Sequence, residues 1–300
     1  MEKVLTQFEA YLLTEKRVAK NTFVAYQGDL AQFAQYVHKN NRTLEQITAD
    51  DIKQFLYYLK EQHVGARSMA RKISALKLFM RWARERLGWK TETIKIHTPK
   101  LEKKLPTFLK PTEIEQLLHA ADRDKTIAGK RNTMMLYLLY ATGMRISELT
   151  HLELSDVQFD TGFISVRGKG GKGRMVPIPH KVLTMLRDYL DTVRSQLIDA
   201  AFLEKAPYVF PVQYASQIKP ISRQSFWMAL KELCAQAGIK KNISPHMLRH
   251  SLATHLLQQG AHLRSLQLLL GHENLSTVEI YTHLETSYVR KVYDKKHPRA

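Results

Sequence analysis

Four stretches of the chain gather polar and ionisable residues within otherwise apolar sequence. They are Ala141-Thr142-Gly143-Met144-Arg145, the glycine-rich run Gly168-Lys169-Gly170-Gly171-Lys172-Gly173, Pro245-His246-Met247-Leu248-Arg249-His250, and Leu270-Gly271-His272 continuing to Ile280-Tyr281-Thr282-His283. In the third, His246 and Arg249 stand three apart, so on a helix both side chains project from one face. Both types suit a bound phosphate: arginine offers a planar fork of donors, and histidine donates a hydrogen bond or moves a proton. Ser244 as cap and Pro245 at the first helical position place the pair in a first turn, where unpaired backbone N–H groups favour an anion.

Taken singly, each stretch has a plainer reading. An arginine after a buried helix is usually a surface ion-pair residue, a Gly-Lys-Gly hairpin is usually a turn with a solvated lysine, and a tyrosine at helical spacing more often packs in a core. Two other chemistries fit poorly. His246 and His250 have the spacing of a helical zinc motif, but Met247 stands where that motif carries its glutamate, and no acidic residue lies between Ser244 and Gly271. The run Gly168 to Arg174 lacks the Gly-Lys-Ser/Thr ending of a nucleotide loop and joins two strands, not a strand to a helix. No metal, nucleotide or other cofactor is expected.

These residues need a scaffold, and periodicity predicts one that is mainly α with a small antiparallel β-sheet in the C-terminal domain. Helices are expected over Asn21 to His38, with Asn21 as cap, over Asp50 to Leu59, and over Ala66 to Leu87. In the last, Met69, Ile73, Leu76, Met80, Ala83 and Leu87 fall in one narrow arc, while Arg67, Arg71, Lys77, Arg81 and Arg84 share an adjoining one. That basic arc is either a solvated face or a phosphate-contacting one. Gly88 closes the helix. The segment 89–106, with Pro99, Pro106, Lys100, Lys103 and Lys104, reads as an extended linker between domains at 1–88 and 107–300.

The second domain opens with an expected capping box, Thr112 with Glu115, and continues into a helix, Asn132 to Thr142, that is apolar nearly all round and stops at Gly143. Alternation over Val157 to Pro179 predicts strands around the glycine-rich hairpin. Helices follow over 180–197, 222–237, 245–259, 263–270 and 276–284.

Composition narrows the partners. The chain of 300 residues carries 46 Lys and Arg against 28 Asp and Glu, a formal charge of +18, which is strongly self-repelling unless a polyanion takes up part of it. Nucleic acid is the foremost candidate. The single cysteine, Cys234, forbids an internal disulfide and fits a reducing compartment. No apolar run approaches the ~20 residues of a membrane span, and the first residues have no signal-peptide pattern, so a cytoplasmic location without a membrane partner is expected.

Together the four stretches resemble the tyrosine recombinase (phage integrase) family. The strings that carry the resemblance are Ala-Thr-Gly-Met-Arg-Ile-Ser-Glu-Leu, Gly-Lys-Gly-Gly-Lys-Gly-Arg, His-Met-Leu-Arg-His-Ser-Leu-Ala-Thr-His and Leu-Gly-His-Glu-Asn-Leu-Ser-Thr-Val-Glu-Ile-Tyr-Thr-His. Arg145, Lys169, His246, Arg249, His272 and Tyr281 match the six active-site positions in type and order. The likeness spans nearly the whole chain and is nearest to the bacterial Xer recombinases. Leu252 replaces a commoner Phe and Val278 a commoner Thr, and neither touches the six. The ending Val292 to Ala300 leans toward the XerC type, with the XerC–XerD distinction left open.

The resemblance implies a helical core-binding domain that clamps DNA and a catalytic domain that cuts and rejoins duplex DNA through a covalent 3′-phosphotyrosyl link, without cofactor or external energy. Tyr281 would be the nucleophile, Arg145 and Arg249 the grip on the non-bridging oxygens, and His246 the proton acceptor. His272 would hydrogen-bond the phosphate and Lys169 would protonate the leaving 5′-oxygen. Implied partners are double-stranded DNA, further copies of the chain with a second Xer recombinase in a tetramer on two sites, and a cell-division DNA translocase. A tail helix near 286–293 would dock on a neighbour. Arg67, Arg71, Lys77, Arg81, Arg84, Arg223 and Gln224 are the candidate DNA contacts. Rival readings are an integrase of a mobile element (phage, transposon or integron), with the lack of an extra N-terminal arm-binding domain arguing against the phage type, a topoisomerase of the tyrosine class, and a non-catalytic architectural DNA-binding factor.

Overall fold

The computed structural model of the protein describes residues 2–90, 108–167 and 173–270. Lys169, His272, Tyr281, the linker from 91 onward and the helices expected over 276–284 and 286–293 lie outside the described residues. The chain divides into two compact units, Met1–Leu105 and Pro106–Ala300.

The first unit is built from four helices: α1 (Glu2–Thr14), α2 (Lys20–Lys39), α3 (Ala49–Glu61) and α4 (Ala66–Leu87). Their apolar stripes meet in one core in which Phe8, Phe33, Phe55, Leu59, Leu76 and Phe79 are fully enclosed. Phe8 meets Phe79 edge-on at 5.3 Å between ring centroids, the arrangement favoured by the ring quadrupoles. α3 starts at a reciprocal cap: Thr48 Oγ1 accepts from the Asp51 N–H at 3.2 Å, and the Asp51 carboxylate accepts from the Thr48 N–H at 2.8 Å. α2 starts at Lys20, not at a capping Asn21; Ala19, in extended conformation, precedes it and supplies no side-chain cap. α4 spans the expected residues and ends at Gly88 with φ +68°, the left-handed conformation that glycine adopts without a Cβ penalty. Of its apolar arc, Ile73, Leu76, Met80 and Ala83 are buried, while Leu87 at the helix end is exposed.

The second unit begins with α5 (Pro111–Arg123) and α6 (Ile127–Thr142). The expected Thr112–Glu115 box does not form, because the helix is capped two residues earlier, at Lys110. There Glu113 reaches back to accept from the Lys110 N–H at 2.7 Å. α6 begins five residues before the expected Asn132, at a Thr126 cap whose Oγ1 accepts from the Gly129 N–H at 2.9 Å. Its residues Met134 to Thr142 are all buried, as a helix apolar on every side must be. A short helix, α7 (Ile146–Thr150), follows after Gly143.

Strands β1 (Val157–Gln158), β2 (Phe163–Arg167) and β3 (Gly173–Pro177) form an antiparallel sheet in that order, with Ile164 opposite Val176 and Val166 opposite Arg174. α8 (His180–Thr192) ends short of 197, because buried Arg194 turns the chain by donating to the carbonyls of Tyr208 and Ala206. A second antiparallel hairpin pairs β4 (Pro211–Tyr214) with β5 (Gln217–Pro220), in a stretch without clean alternation. Three helices complete the described unit: α9 (Arg223–Gln236), α10 (Pro245–Gln258) and α11 (Leu263–Leu270). No helix among the described residues is long and apolar enough to cross a membrane.

Candidate active site

The site is organised by the abrupt end of α6. Gly143 closes that helix with φ +60°, and a Cβ there would lie 2.8 Å from Leu270 Cδ2 and 2.9 Å from Leu252 Cδ2. Both the backbone angle and the closeness of α10 and α11 therefore require glycine. The tight turn delivers Arg145 to the start of α7, where it is the capping residue. Three residues on, Glu148 folds back: its Oε2 accepts from the Arg145 backbone N–H at 2.7 Å and its Oε1 from Arg145 Nη1 at 2.9 Å.

A second arginine meets the same carboxylate. Arg174 of β3 donates from Nη1 to Glu148 Oε1 at 3.0 Å and from Nη2 to Oε2 at 2.9 Å, while its Nε donates to the Leu269 carbonyl at 3.1 Å. Arg249 of α10 donates from Nη1 to the Gly143 carbonyl at 2.6 Å and from Nη2 to the Leu270 carbonyl. Three guanidinium groups thus surround one carboxylate and the carbonyls that end α6 and α11.

The electrostatics follow from that crowding. Arg249 is buried, and desolvation, reinforced by the charges of Arg145 and Arg174 and partly opposed by Glu148, lowers its pKa to about 10. It therefore stays charged at neutral pH. Burial pushes the Glu148 carboxyl up, but the Arg174 fork and charge together with the two Arg145 contacts hold it below the ordinary glutamate value. The local sum of one anion against three cations leaves a basic centre suited to an anionic ligand.

Helix α10 presents the expected pair. Ser244 caps it, its Oγ accepting from the Met247 N–H at 3.3 Å, and Pro245 occupies the first turn. His246 is exposed beside this N-terminus, on the face it shares with Arg249 three residues on. Elsewhere on the helix, Ser251 Oγ accepts from the Leu109 N–H at 2.9 Å, and His255 is hydrogen-bonded to the Leu109 carbonyl at 2.8 Å and to Tyr140 Oη at 2.9 Å. No cluster of metal-ligating side chains occurs among the described residues.

The structure thus brings Arg145 and Arg249 together and sets His246 on the helix that carries Arg249. Lys169, His272 and Tyr281 fall outside the described residues; in sequence, Lys169 lies between β2 and β3, and Leu270 immediately precedes Gly271. Glu148 and Arg174 escaped the sequence reading. A signal existed: strand alternation puts Arg174 on the same buried face as Val176, and a buried guanidinium demands an acidic partner.

In the first unit, Arg67, Arg71, Lys77, Arg81 and Arg84 are all exposed along α4. Arg71 also makes a fork to buried Asp29, Nε to Oδ2 and Nη2 to Oδ1 at 2.9 Å each, and Lys72 donates to the same carboxylate at 2.8 Å. In the second unit, Arg223 and Gln224 are exposed in the first turn of α9, just after the capping Ser222.

Comparison with known proteins adds two family models: phage integrase family over residues 107–287, and phage integrase N-terminal SAM-like domain over residues 5–86. The chain is 41% identical over 302 residues to tyrosine recombinase XerD of Staphylococcus aureus, with both chains covered in full. It is 39% identical over 302 residues to tyrosine recombinase XerD of Staphylococcus saprophyticus, again with full coverage of both. These relatives bear the XerD name, not that of the XerC type toward which the final residues lean. Among solved structures, XerH recombinase bound to its difH substrate before cleavage superposes with a TM-score of 0.70 at 22% identity, over 98% of this chain and 82% of that one. A lambda integrase dimer bound to a COC′ core site superposes with a TM-score of 0.68 at 20% identity, over 93% of this chain and 99% of that one. Both likenesses bear on the fold.

Proposed function

The chain belongs to the phage integrase family of tyrosine recombinases, and on that premise we propose the path by which it cuts and rejoins duplex DNA at a specific site. Tyr281 Oη attacks the scissile phosphorus; a tyrosyl–phosphorus bond forms and the bond to the 5′-oxygen breaks. His246 takes the tyrosine proton and Lys169 gives one to the departing oxygen. Arg145 and Arg249 hold the non-bridging oxygens, whose negative charge grows in the transition state, and His272 adds a hydrogen bond. A 5′-hydroxyl from the exchanging strand then attacks the phosphotyrosine and restores a phosphodiester of similar energy, so neither metal nor nucleotide is consumed.

The observation that carries this reading is the convergence of Arg145 and Arg249 on the carbonyl end of α6, from positions far apart in sequence. Exposed Arg67, Arg71, Lys77, Arg81 and Arg84 on α4, and Arg223 and Gln224 on α9, are the proposed DNA-facing side chains. The domain boundaries are proposed at 88 and 107. Duplex DNA, further copies of the chain and a second recombinase of Xer type are its proposed partners on two sites; XerH bound to its difH substrate and a lambda integrase dimer bound to a core site support the duplex DNA and the further copies. Resolution of chromosome dimers at cell division, in the cytoplasm and under a DNA translocase, is the proposed setting.

Incubation with a nicked duplex carrying the cognate site tests the chemistry. Wild type should form a covalent protein–DNA adduct, and Tyr281→Phe should bind the duplex without forming one. An adduct from Tyr281→Phe would assign the nucleophile elsewhere.

A further inference from the structure

Two charged side chains of the site, Arg174 and Glu148, are not used by the proposed chemistry. Arg174 is 8% exposed and donates to both oxygens of Glu148 and to the Leu269 carbonyl. Glu148 in turn holds the backbone and the side chain of Arg145. Leu270, next to Leu269, gives its carbonyl to Arg249. One side chain of β3 is therefore tied to both arginines proposed to grip the phosphate, to Arg145 through Glu148 and to Arg249 through the adjacent carbonyls of Leu269 and Leu270.

We infer that Arg174 is a positioning residue for strand cleavage: by occupying both oxygens of Glu148 and anchoring the end of α11, it fixes where Arg145 and Arg249 present their guanidinium groups. The chemistry requires such a device. A buried carboxylate beside Arg145 is a competitor for the phosphate, since arginine pairs with carboxylate and phosphate by the same fork. With Arg174 forked across both oxygens, the carboxylate is already satisfied and Arg145 contacts it through Nη1 at 2.9 Å. Without Arg174, Glu148 gains by drawing Arg145 into a fork of its own, turned away from the ligand. The Leu269–Leu270 end of α11, held by Arg174 and Arg249 side by side, loses one of its two anchors at the same time.

This inference rests on the reading that Arg145 and Arg249 bind the scissile phosphate, and the test separates the two. Arg174→Gln, Arg174→Lys and Arg249→Gln are compared with wild type on a nicked cognate duplex, measuring single-turnover adduct formation at saturating DNA, the DNA Kd, and the thermal midpoint. The same rates are measured on a duplex with a methylphosphonate at the scissile position, which lacks one negative oxygen and asks less of the cations. Arg174→Gln is expected to slow adduct formation roughly 10- to 100-fold with Kd little changed. Arg174→Lys, a point charge that cannot fork, should fall between it and wild type. On the methylphosphonate the gap between Arg174→Gln and wild type should narrow.

Equal slowing on both substrates, in step with a lowered midpoint, would show a purely structural role and overturn the inference. So would wild-type rates from Arg174→Gln while Arg249→Gln is inactive. Normal cleavage by Arg249→Gln would instead overturn the phosphate-binding reading itself.

Discussion

His255 holds Leu109 by its carbonyl at 2.8 Å, and Ser251, one turn earlier on α10, holds the same residue by its N–H at 2.9 Å. The helix that carries His246 and Arg249 is thus also the dock for the first described residues after the linker segment. Because a carbonyl only accepts, His255 Nε2 carries the proton and Nδ1 accepts from Tyr140 Oη, which fixes the neutral tautomer. Burial pushes the His255 pKa down, and the Leu109 carbonyl only partly opposes it.

That relationship sets a pH dependence. With a folded pKa below the unfolded value near 6.5, the unfolded chain takes up the proton first. Stability contributed by neutral His255 is therefore complete above ~6.5 and declines as pH falls from there to the folded pKa, below which it changes no further. His255→Leu should flatten this segment of the stability–pH curve in urea melts. It should also lower stability by about 1–3 kcal/mol, because the buried Leu109 carbonyl loses its donor and Tyr140 Oη loses its bond to Nδ1. An unaltered slope in the variant would show that another group sets it.

Gly143→Ala should injure cleavage beyond its effect on folding. The left-handed backbone alone costs about 1–2 kcal/mol for an L-residue. The new methyl would also press on Leu270 and Leu252, at 2.8 and 2.9 Å, and so on the segment whose carbonyl Arg249 uses. Loss of adduct formation should therefore exceed loss of DNA affinity. A variant that melts lower yet cleaves at the wild-type rate would contradict this coupling.

On α4, the charges that meet DNA and the charges that hold the helix bundle should separate by mutation. Each of Arg67→Gln and Arg81→Gln should weaken DNA binding and reduce the slope of log K against log salt by about 1 for each phosphate left without its cation. Asp29→Ala should act through stability instead. It removes the anion paired with Lys72, whose side chain is 10% exposed, leaving the ammonium its bond to Gln32 Oε1 at 2.7 Å, and breaking a buried ion pair costs about 3–5 kcal/mol. Salt-dependent binding isotherms and urea melts distinguish the two classes; an unchanged salt slope in both arginine variants would remove α4 from the DNA interface.

What the sequence made legible depended on the range of the interaction. The bounds of α4 are legible to the residue because its apolar arc, its polar arc and Gly88 all lie within local reach. Caps were less legible: extended backbone at Ala19 starts α2 with no side-chain bond, and Lys110 replaces Thr112 at the head of α5 because the backbone, not the residue type, decides which N–H is orphaned. The β4–β5 hairpin carries Pro211 and Pro220 at its ends and no clean alternation, so no period marked it. Arg145 and Arg249 were identified by their family strings, but their meeting at Gly143 depends on α6, α10 and α11 packing together, and no local pattern encodes that. Glu148 and Arg174 stood inside the quoted strings and still escaped, because a carboxylate shared between a helix start and a strand exists only in three dimensions.

Glu148→Gln gives the sharpest test of that shared carboxylate. The side chain is 6% exposed and faces Arg145 and Arg174, with the Arg249 charge also acting on it. A neutral amide keeps the shape, loses the charge, and turns two N–H donors toward groups that only donate. Removing the anion from beside buried Arg174 should cost about 3–5 kcal/mol, and adduct formation should fall further than DNA affinity. The acid limb of stability should change as well. Because the folded carboxyl titrates below its unfolded value near 4.5, its contribution is present above that pH and disappears as pH drops through the folded pKa. Wild type should therefore lose stability below about pH 4.5 more steeply than Glu148→Gln. Urea melts from pH 7 to 3 read the difference, and parallel curves for the two proteins would mean that Glu148 does not carry the charge on which the arginine cluster depends.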